Sequence, residues 1–218
     1  MPHSVAVVTG GCGETGLRSA KLLAREHHVV LSDSSRERLH RALDQLDSAG
    51  VSAESIVADP ADRRSVETLM SAAREAGPIA TVVHAAGVVG SSPAEILRGH
   101  VLGTVNVTAA TLAVAAPGTT LIHATREAGA GPWVSAVPRR LLARASTNPE
   151  AVVRALTRLA ELGPVRLAPT IAQGLSTTFL DWYAAHMAAA FRARGARLHA
   201  VGPLDLAPVA ESYEPLAS

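Results

Sequence analysis

The sequence holds one cysteine, Cys12, in 218 residues. No internal disulfide can form, and a reducing cytoplasm is the expected setting. An excess of either charge is missing too. Lys and Arg total 20 against 19 for Asp and Glu, and the net charge of +1 leaves no electrostatic footprint for nucleic acid or an anionic membrane. No stretch approaches the roughly 18–20 unbroken apolar residues of a bilayer span. Met1-Pro2-His3-Ser4 runs into a strand-like segment with no basic leader or cleavage site. Aromatic residues are scarce at 3%, and no His/Cys/Asp/Glu grouping has metal-ligand spacing. There is no internal repeat, low-complexity segment or linker. What is present is 48% hydrophobic content, enough for one full-sized core in a chain too short for two ordinary domains.

The first two thirds alternate short β-branched runs with helix-patterned stretches, the signature of parallel βαβ units. Strands are expected at Val5–Thr9, Val29–Ser32, Val51–Ala58, Ile79–Ala85 and Thr119–Ala124, as near-continuous apolar runs. Helices are expected at Glu14–Glu26, at Ser35–Ser48 with an apolar stripe of Leu39, Leu43 and Leu46, and near Ala94–Ala115. Beyond Ala124 the pattern loosens. Helical pieces are expected at Val137–Ala145 and, after Asn148-Pro149, at Glu150–Leu162. A longer helix is expected from about Ser176 to Arg194, stopped by Gly195, and a sixth strand at Arg197–Val201.

The turn Thr9-Gly10-Gly11-Cys12-Gly13-Glu14-Thr15-Gly16 follows a strand and opens a helix. In that context the glycines permit a tight turn and close backbone approach, and the free N–H groups of the helix start face a pyrophosphate. Asp33 closes the second strand, where a carboxylate accepts from a ribose 2′-hydroxyl and repels a 2′-phosphate. That favours NAD over NADP, and Arg36 weakens the preference. Cys12 is expected to be a small filler rather than a nucleophile.

With these features the chain resembles the short-chain dehydrogenase/reductases. Val57-Ala58-Asp59-Pro60-Ala61-Asp62 is similar to the family's strand-three ending, whose Asp contacts adenine. Val83-His84-Ala85-Ala86-Gly87 resembles its Asn-Asn-Ala-Gly motif, and His100-Val101-Leu102-Gly103-Thr104-Val105-Asn106-Val107 its Asn-x-x-Gly-Thr helix. Ala128-Gly129 matches the pair after the catalytic serine, and Gly195–Pro203 resembles the sixth strand. The resemblance covers residues 4–203. It implies a Rossmann-type doubly wound α/β domain with a six-stranded parallel sheet in order 3-2-1-4-5-6. It also implies a nucleotide site at Gly10, Gly11, Gly13, Thr15, Gly16, Asp33, Asp59, Ala86 and Gly87. NAD is the expected cofactor, unless the site is vestigial.

The family's chemistry rests on an Asn, a Ser and a Tyr-x-x-x-Lys pair. By the same resemblance the Asn falls on His100 and the Ser on Arg126, with Thr125 beside it. Counting back from the Gly195–Pro203 strand places the Tyr at Gln173 and the Lys at Thr177. A carboxamide cannot titrate and a threonine brings no charge, so the family's proton donor is missing. Tyr183 lies about 15 Å further along a helix and rotated off its face, with Met187 where a lysine is needed. Family members also continue past the sixth strand into substrate-covering helices. Here the sequence ends at Ser218, and residues 129–164, which resemble the longer insert of some actinobacterial members, are expected to cover the pocket.

Arg126 at the end of strand five would offer a permanent cation to an enolate, carboxylate or phosphate, or else pair with Glu127. His100 would act as acid or base near neutral pH, or pack in the core. His84 and His123 read more simply as packing or nucleotide-edge residues. Thr125 and Gln173 hydrogen-bond either a ligand or the backbone. Ser176 lacks a nucleophile elbow. Phe179, Trp182, Tyr183, Met187 and Phe191 form a stripe that reads as part core and part contact in a homodimer or other homo-oligomer. Three readings follow. The leading one is a non-redox enzyme acting by proton transfer on a small biosynthetic intermediate (isomerase, cyclase or dehydratase). The others are an NAD(P)-dependent oxidoreductase with a relocated acid, and a non-catalytic nucleotide-binding or partner subunit.

Overall fold

A computed structural model describes residues 4–85, 87, 92–125 and 137–202. Its first half is a regular βα alternation: β1 Val5–Thr9, α1 Glu14–Leu23, β2 His28–Asp33, α2 Arg36–Asp47, β3 Ala53–Val57, α3 Arg63–Ala76, β4 Ile79–His84, α4 Pro93–Val114 and β5 Thr120–Ala124. Then come the short α5 Arg139–Leu142 with a 3-10 turn over Ala143–Ser146, α6 Pro149–Glu161, a second 3-10 turn at Val165–Leu167, α7 Ala168–Arg192 and β6 Arg197–Val201. The strands form one six-stranded sheet in order 3-2-1-4-5-6, and every neighbouring pair is parallel. The order reverses between β1 and β4, where open sheets of this kind leave a crevice at the strand C-termini.

Each face of the sheet has its own apolar layer. Val8, Leu31, Val83 and Ile122 pack with Ala20 of α1 and Leu39 of α2. On the other face Val7, Val30, Val82 and Leu121 pack with Leu69 of α3, Val107 of α4 and Phe191 of α7. A third cluster joins Ile96, Leu97 and Val101 of α4 to Val152 and Leu156 of α6 and to Ala172, Leu175, Phe179 and Tyr183 of α7.

Several boundaries depart from the sequence reading for local reasons. Helix α1 ends at Leu23 instead of Glu26 because the next N–H groups tighten onto Leu22 and Leu23. That turns His27 inward, where its Nδ1 meets the Ser4 hydroxyl at 2.8 Å. Helix α3 has no counterpart among the elements read from the sequence; Asp62 caps it by accepting from the Arg64 N–H at 2.9 Å. Val137–Ala145 yields only one helical turn and a 3-10 turn. Helix α7 starts at Ala168, with a proline in its first turn, rather than near Ser176. Gln173 therefore lies within α7. Strand β3 is an exposed edge, not a buried apolar run.

Candidate functional site

The glycine turn owes its shape to two contacts. Gly10 has φ +68°, the left-handed region open to glycine. A Cβ on Gly16 would lie 2.5 Å from the Gly10 carbonyl oxygen and 2.7 Å from the Gly11 Cα, so α1 can start this close only on a glycine. Gly13, the N-cap residue, carries no capping side chain, and a Cβ there would meet only the Gly10 carbonyl oxygen at 3.5 Å. The first-turn N–H groups, including that of Thr15, point out of the helix start with no intrahelical acceptor.

Above this turn lies a cavity of about 330 Å³, lined in part by Gly10, Gly13, Asp33, Arg38, Asp59 and Gly87. The Asp33 carboxylate is buried at its edge. It accepts the Ser35 N–H at 3.2 Å and lies 3.6 Å from the Arg38 guanidinium. The nearby cation is thus Arg38 and not Arg36, whose side chain lines a separate cavity between α2 and β3. Ser35 caps α2 through the Arg38 N–H. The cap puts Arg38 on the helix turn that overhangs Asp33, a relationship one-dimensional proximity conceals. Cys12 sits beside the same carboxylate. Burial first, and the Asp33 charge and hydrogen bond next, push its thiol up to about 11 from 9.0, so it stays protonated, as expected of a filler.

The opposite wall is the strand-three ending. Asp59 turns back to accept the Ala61 N–H at 2.8 Å. The Pro60 carbonyl accepts from Asn106 Nδ2 of α4 at 2.9 Å. Pro60, Ala61 and Asn106 stood inside motifs read from the sequence without a role of their own, and Ser34 and Gly99 were not singled out; only the structure brings α4 onto that loop.

Beneath the cleft, Thr9, His84 and His123 lie side by side on β1, β4 and β5. The Thr9 hydroxyl and His84 Nδ1 are 2.7 Å apart. The His84 and His123 rings meet edge to face at 5.3 Å. Thr108 donates its hydroxyl proton to the Thr104 carbonyl at 2.6 Å, so it must accept from His123 Nε2 at 2.8 Å. That fixes the His123 tautomer. Burial holds the His123 imidazole down at about 3. Burial, then His123 and His100, holds His84 well below the usual imidazole range. Burial thus keeps both imidazoles neutral near pH 7.

His100, in the second turn of α4, stands at the cleft. A Cβ on Gly87 would lie 3.4 Å from its Cε1. Ser92 and Glu95 fix the start of this helix with a reciprocal capping box. Thr125, just past β5, is held by its N–H donating to the Val201 carbonyl at 2.7 Å. Gln173 is on α7, whose next residues pack against Ile96, Leu97 and Val101. The Gln173 carbonyl accepts from the hydroxyls of Ser176 and Thr177, so Thr177 bonds within its own helix. Tyr183 is buried and stacked on Phe179 at 5.4 Å. Arg126 and Ala86 lie outside the described residues, as do Ala128, Gly129 and Pro203.

Among the described residues no group of three His, Cys, Asp or Glu side chains is arranged to hold a metal, and no helix is long and apolar enough to cross a membrane.

Comparison with known proteins converges on one fold. The KR domain family model matches residues 4–112. Over 100 residues the chain is 30% identical to the pikromycin polyketide synthase component PikAIII of Streptomyces venezuelae, covering 44% of this chain and 6% of that protein. Over 86 residues it is 40% identical to the glycine betaine reductase ATRR of Emericella nidulans, covering 38% of this chain and 7% of that one. The chain thus matches only a small part of the length of either relative. Among solved structures, a metagenomic short-chain oxidoreductase in complex with NADP superposes with a TM-score of 0.66 at 20% identity, over 96% of this chain and 89% of that one. An actinorhodin polyketide ketoreductase variant with NADPH gives 0.65 at 20%, over 91% and 69%. The 3-alpha-hydroxysteroid dehydrogenase of Pseudomonas sp. B-0831 with NADH gives 0.68 at 17%, over 91% and 71%. At these identities the structural likeness shows the fold alone.

Proposed function

The chain belongs to the KR domain family of short-chain dehydrogenase/reductases, and from that premise we propose an enzyme that holds a nicotinamide dinucleotide and performs proton transfer beside a carbonyl, without the family's tyrosine and lysine. The carrying observation is His100, a titratable side chain set against Gly87 at the cleft.

The residues fit the cofactor class. The cradle around Gly10, Gly13 and Gly16 leaves the room a pyrophosphate needs, and the outward N–H groups of α1 match its charge. Asp33 accepts from ribose hydroxyls, and Arg38 offsets the repulsion that Asp33 alone would exert on a 2′-phosphate. Both NAD(H) and NADP(H) are therefore within reach of this site. Such a dinucleotide supplies hydride chemistry when bound.

The chain's own groups supply the rest. His100 holds or moves a proton beside Gly87. Thr125 stands on the β5 side, and Arg126, next in the sequence, serves as partner for a developing oxyanion. Gln173 hydrogen-bonds the substrate without titrating, and Thr177, a neutral hydroxyl that donates to the Gln173 carbonyl, brings no charge. Residues 129–164 cover the substrate, and the half-exposed Trp182 with His186, stacked at 4.8 Å, belongs to the contact of a homo-oligomer. A second reading keeps the same histidine as the acid of a true reductase.

Calorimetric titration with NAD⁺, NADH, NADP⁺ and NADPH tests the cofactor, and a carbonyl panel in D₂O tests the chemistry. At 100 times the dissociation constant a ligand stabilises the fold by about 2.7 kcal/mol. Proton transfer gives deuterium incorporation with no change in nicotinamide absorbance, abolished by His100→Asn. An absorbance change would establish the reductase instead. Failure of all four nucleotides to bind would remove the cofactor from the reading.

A further inference from the structure

We propose that the outer face of α6 and the turn after it form a docking surface for an acidic protein. Nothing in the nucleotide site bears on this surface, and it lies beyond residues 4–112, the part shared with the family model.

Helix α6 buries Val152, Val153, Leu156 and Ala160. Arg154, Arg158 and Leu162 recur every four positions on the opposite side, so they form one stripe. All three are exposed, and Leu162 is 83% accessible. The chain then turns through Gly163 and Pro164 into Val165, Arg166 and Leu167. Val165 is 89% accessible and Leu167 51%. Apart from Val57 on the β3 edge, these three are the exposed large hydrophobics among the described residues. A solvated helix face accounts for the arginines and leaves three clustered aliphatics unexplained.

Charge defines the partner. Residues 137–167 carry six arginines against two glutamates, and one of those, Glu150, is engaged by Arg98 at 2.8 Å. Among the described residues Arg154, Arg158 and Arg166 form no salt bridge. The segment is net +4 in a chain of net +1, which leaves −3 for all the rest. A near-neutral molecule has no long-range pull toward nucleic acid or an anionic bilayer, whereas a local patch complements a carboxylate-bearing surface of its own size. Guanidinium forks suit carboxylates in pairs. A second copy is disfavoured, because a two-fold contact through this face would bring two net-positive patches together.

The test uses the full chain and a fluorescent amphipathic helical peptide of Glu, Asp and Leu, with phosphatidylserine vesicles and a short DNA duplex as competing probes. Anisotropy should show peptide binding that weakens with salt. It should fall about tenfold or more in R154E/R158E and about tenfold in L162S/V165S. Both variants should keep the parent's melting curve and nucleotide titration, which excludes misfolding as the cause. No peptide binding, equal binding by the variants, or preference for vesicles or DNA would overturn the proposal. So would dimerisation abolished by the same substitutions, which would assign the face to a second copy.

Discussion

The His84 imidazole rests on Gly103: a Cβ at that position would lie 3.2 Å from Nε2 and 3.3 Å from Cε1, and 3.3 Å from the Pro60 Cβ. Glycine in mid-helix ordinarily costs about 1 kcal/mol relative to alanine. Here alanine would crowd a ring that cannot retreat, because Thr9 holds it on one edge and His123 packs on it from another. Gly103→Ala is expected to destabilise by about 1 kcal/mol, read as a lower Tm. Gly174 on α7 has nothing within 4 Å of an added Cβ. Gly174→Ala should stabilise by roughly 0.5–1 kcal/mol, and equal shifts of the same sign in both variants would refute this packing account.

Acid should unfold the protein through the two buried histidines. Their folded pKa values lie below the unfolded value near 6.5, so neither state binds their protons above that pH. Below it the unfolded chain takes up protons that the folded one refuses, and stability falls as pH drops from about 6.5 toward 3. The slope reaches about 1.4 kcal/mol per pH unit for each histidine. His123→Gln should flatten the dependence of Tm on pH in this window; an unchanged slope would exonerate His123.

Nucleotide preference should turn on Arg38. Replacing it by alanine removes the cation 3.6 Å from Asp33 and leaves a carboxylate facing any 2′-phosphate. NADP(H) affinity is expected to fall about tenfold, ~1.4 kcal/mol, with NAD(H) little changed. Arg36→Ala serves as the control, since Arg36 lines a different cavity. Calorimetry that finds the two variants alike would exclude Arg38 from discrimination.

Asn106 should matter to the cleft without touching its centre. Asn106→Ala strips the Pro60 carbonyl of its donor, at a cost of about 1 kcal/mol in stability. The Asp59–Ala61 wall should loosen, so that dinucleotide affinity falls several-fold while Asn106→Asp, which cannot donate, behaves the same way.

The strands and the glycine turn were legible in the sequence because each is encoded locally, by apolar runs of strand length and glycines at fixed offsets; their order, which no local signal carries, came with the family resemblance. Arg38 was not legible, because its place depends on how Ser35 starts α2. Asn106 was not, because the contact with Pro60 spans 46 positions. Helix α3 was open to the same reading and was passed over: Val66, Leu69, Met70 and Ala73 recur at helical spacing behind the Asp62 cap. The first turns of α7 were hidden by Pro169, which ends helices from within but is tolerated at their beginning.

Helix α4 belongs to two of the three apolar clusters, its early turns packed with α6 and α7 and its later turns with α3 and the sheet. Neither cluster can open alone without stripping one end of the helix. In hydrogen exchange the mid-helix amides of α4 should therefore be released only by global unfolding. The outer turns of α6 can fray on their own, giving a pliable rim around a slowly exchanging spine.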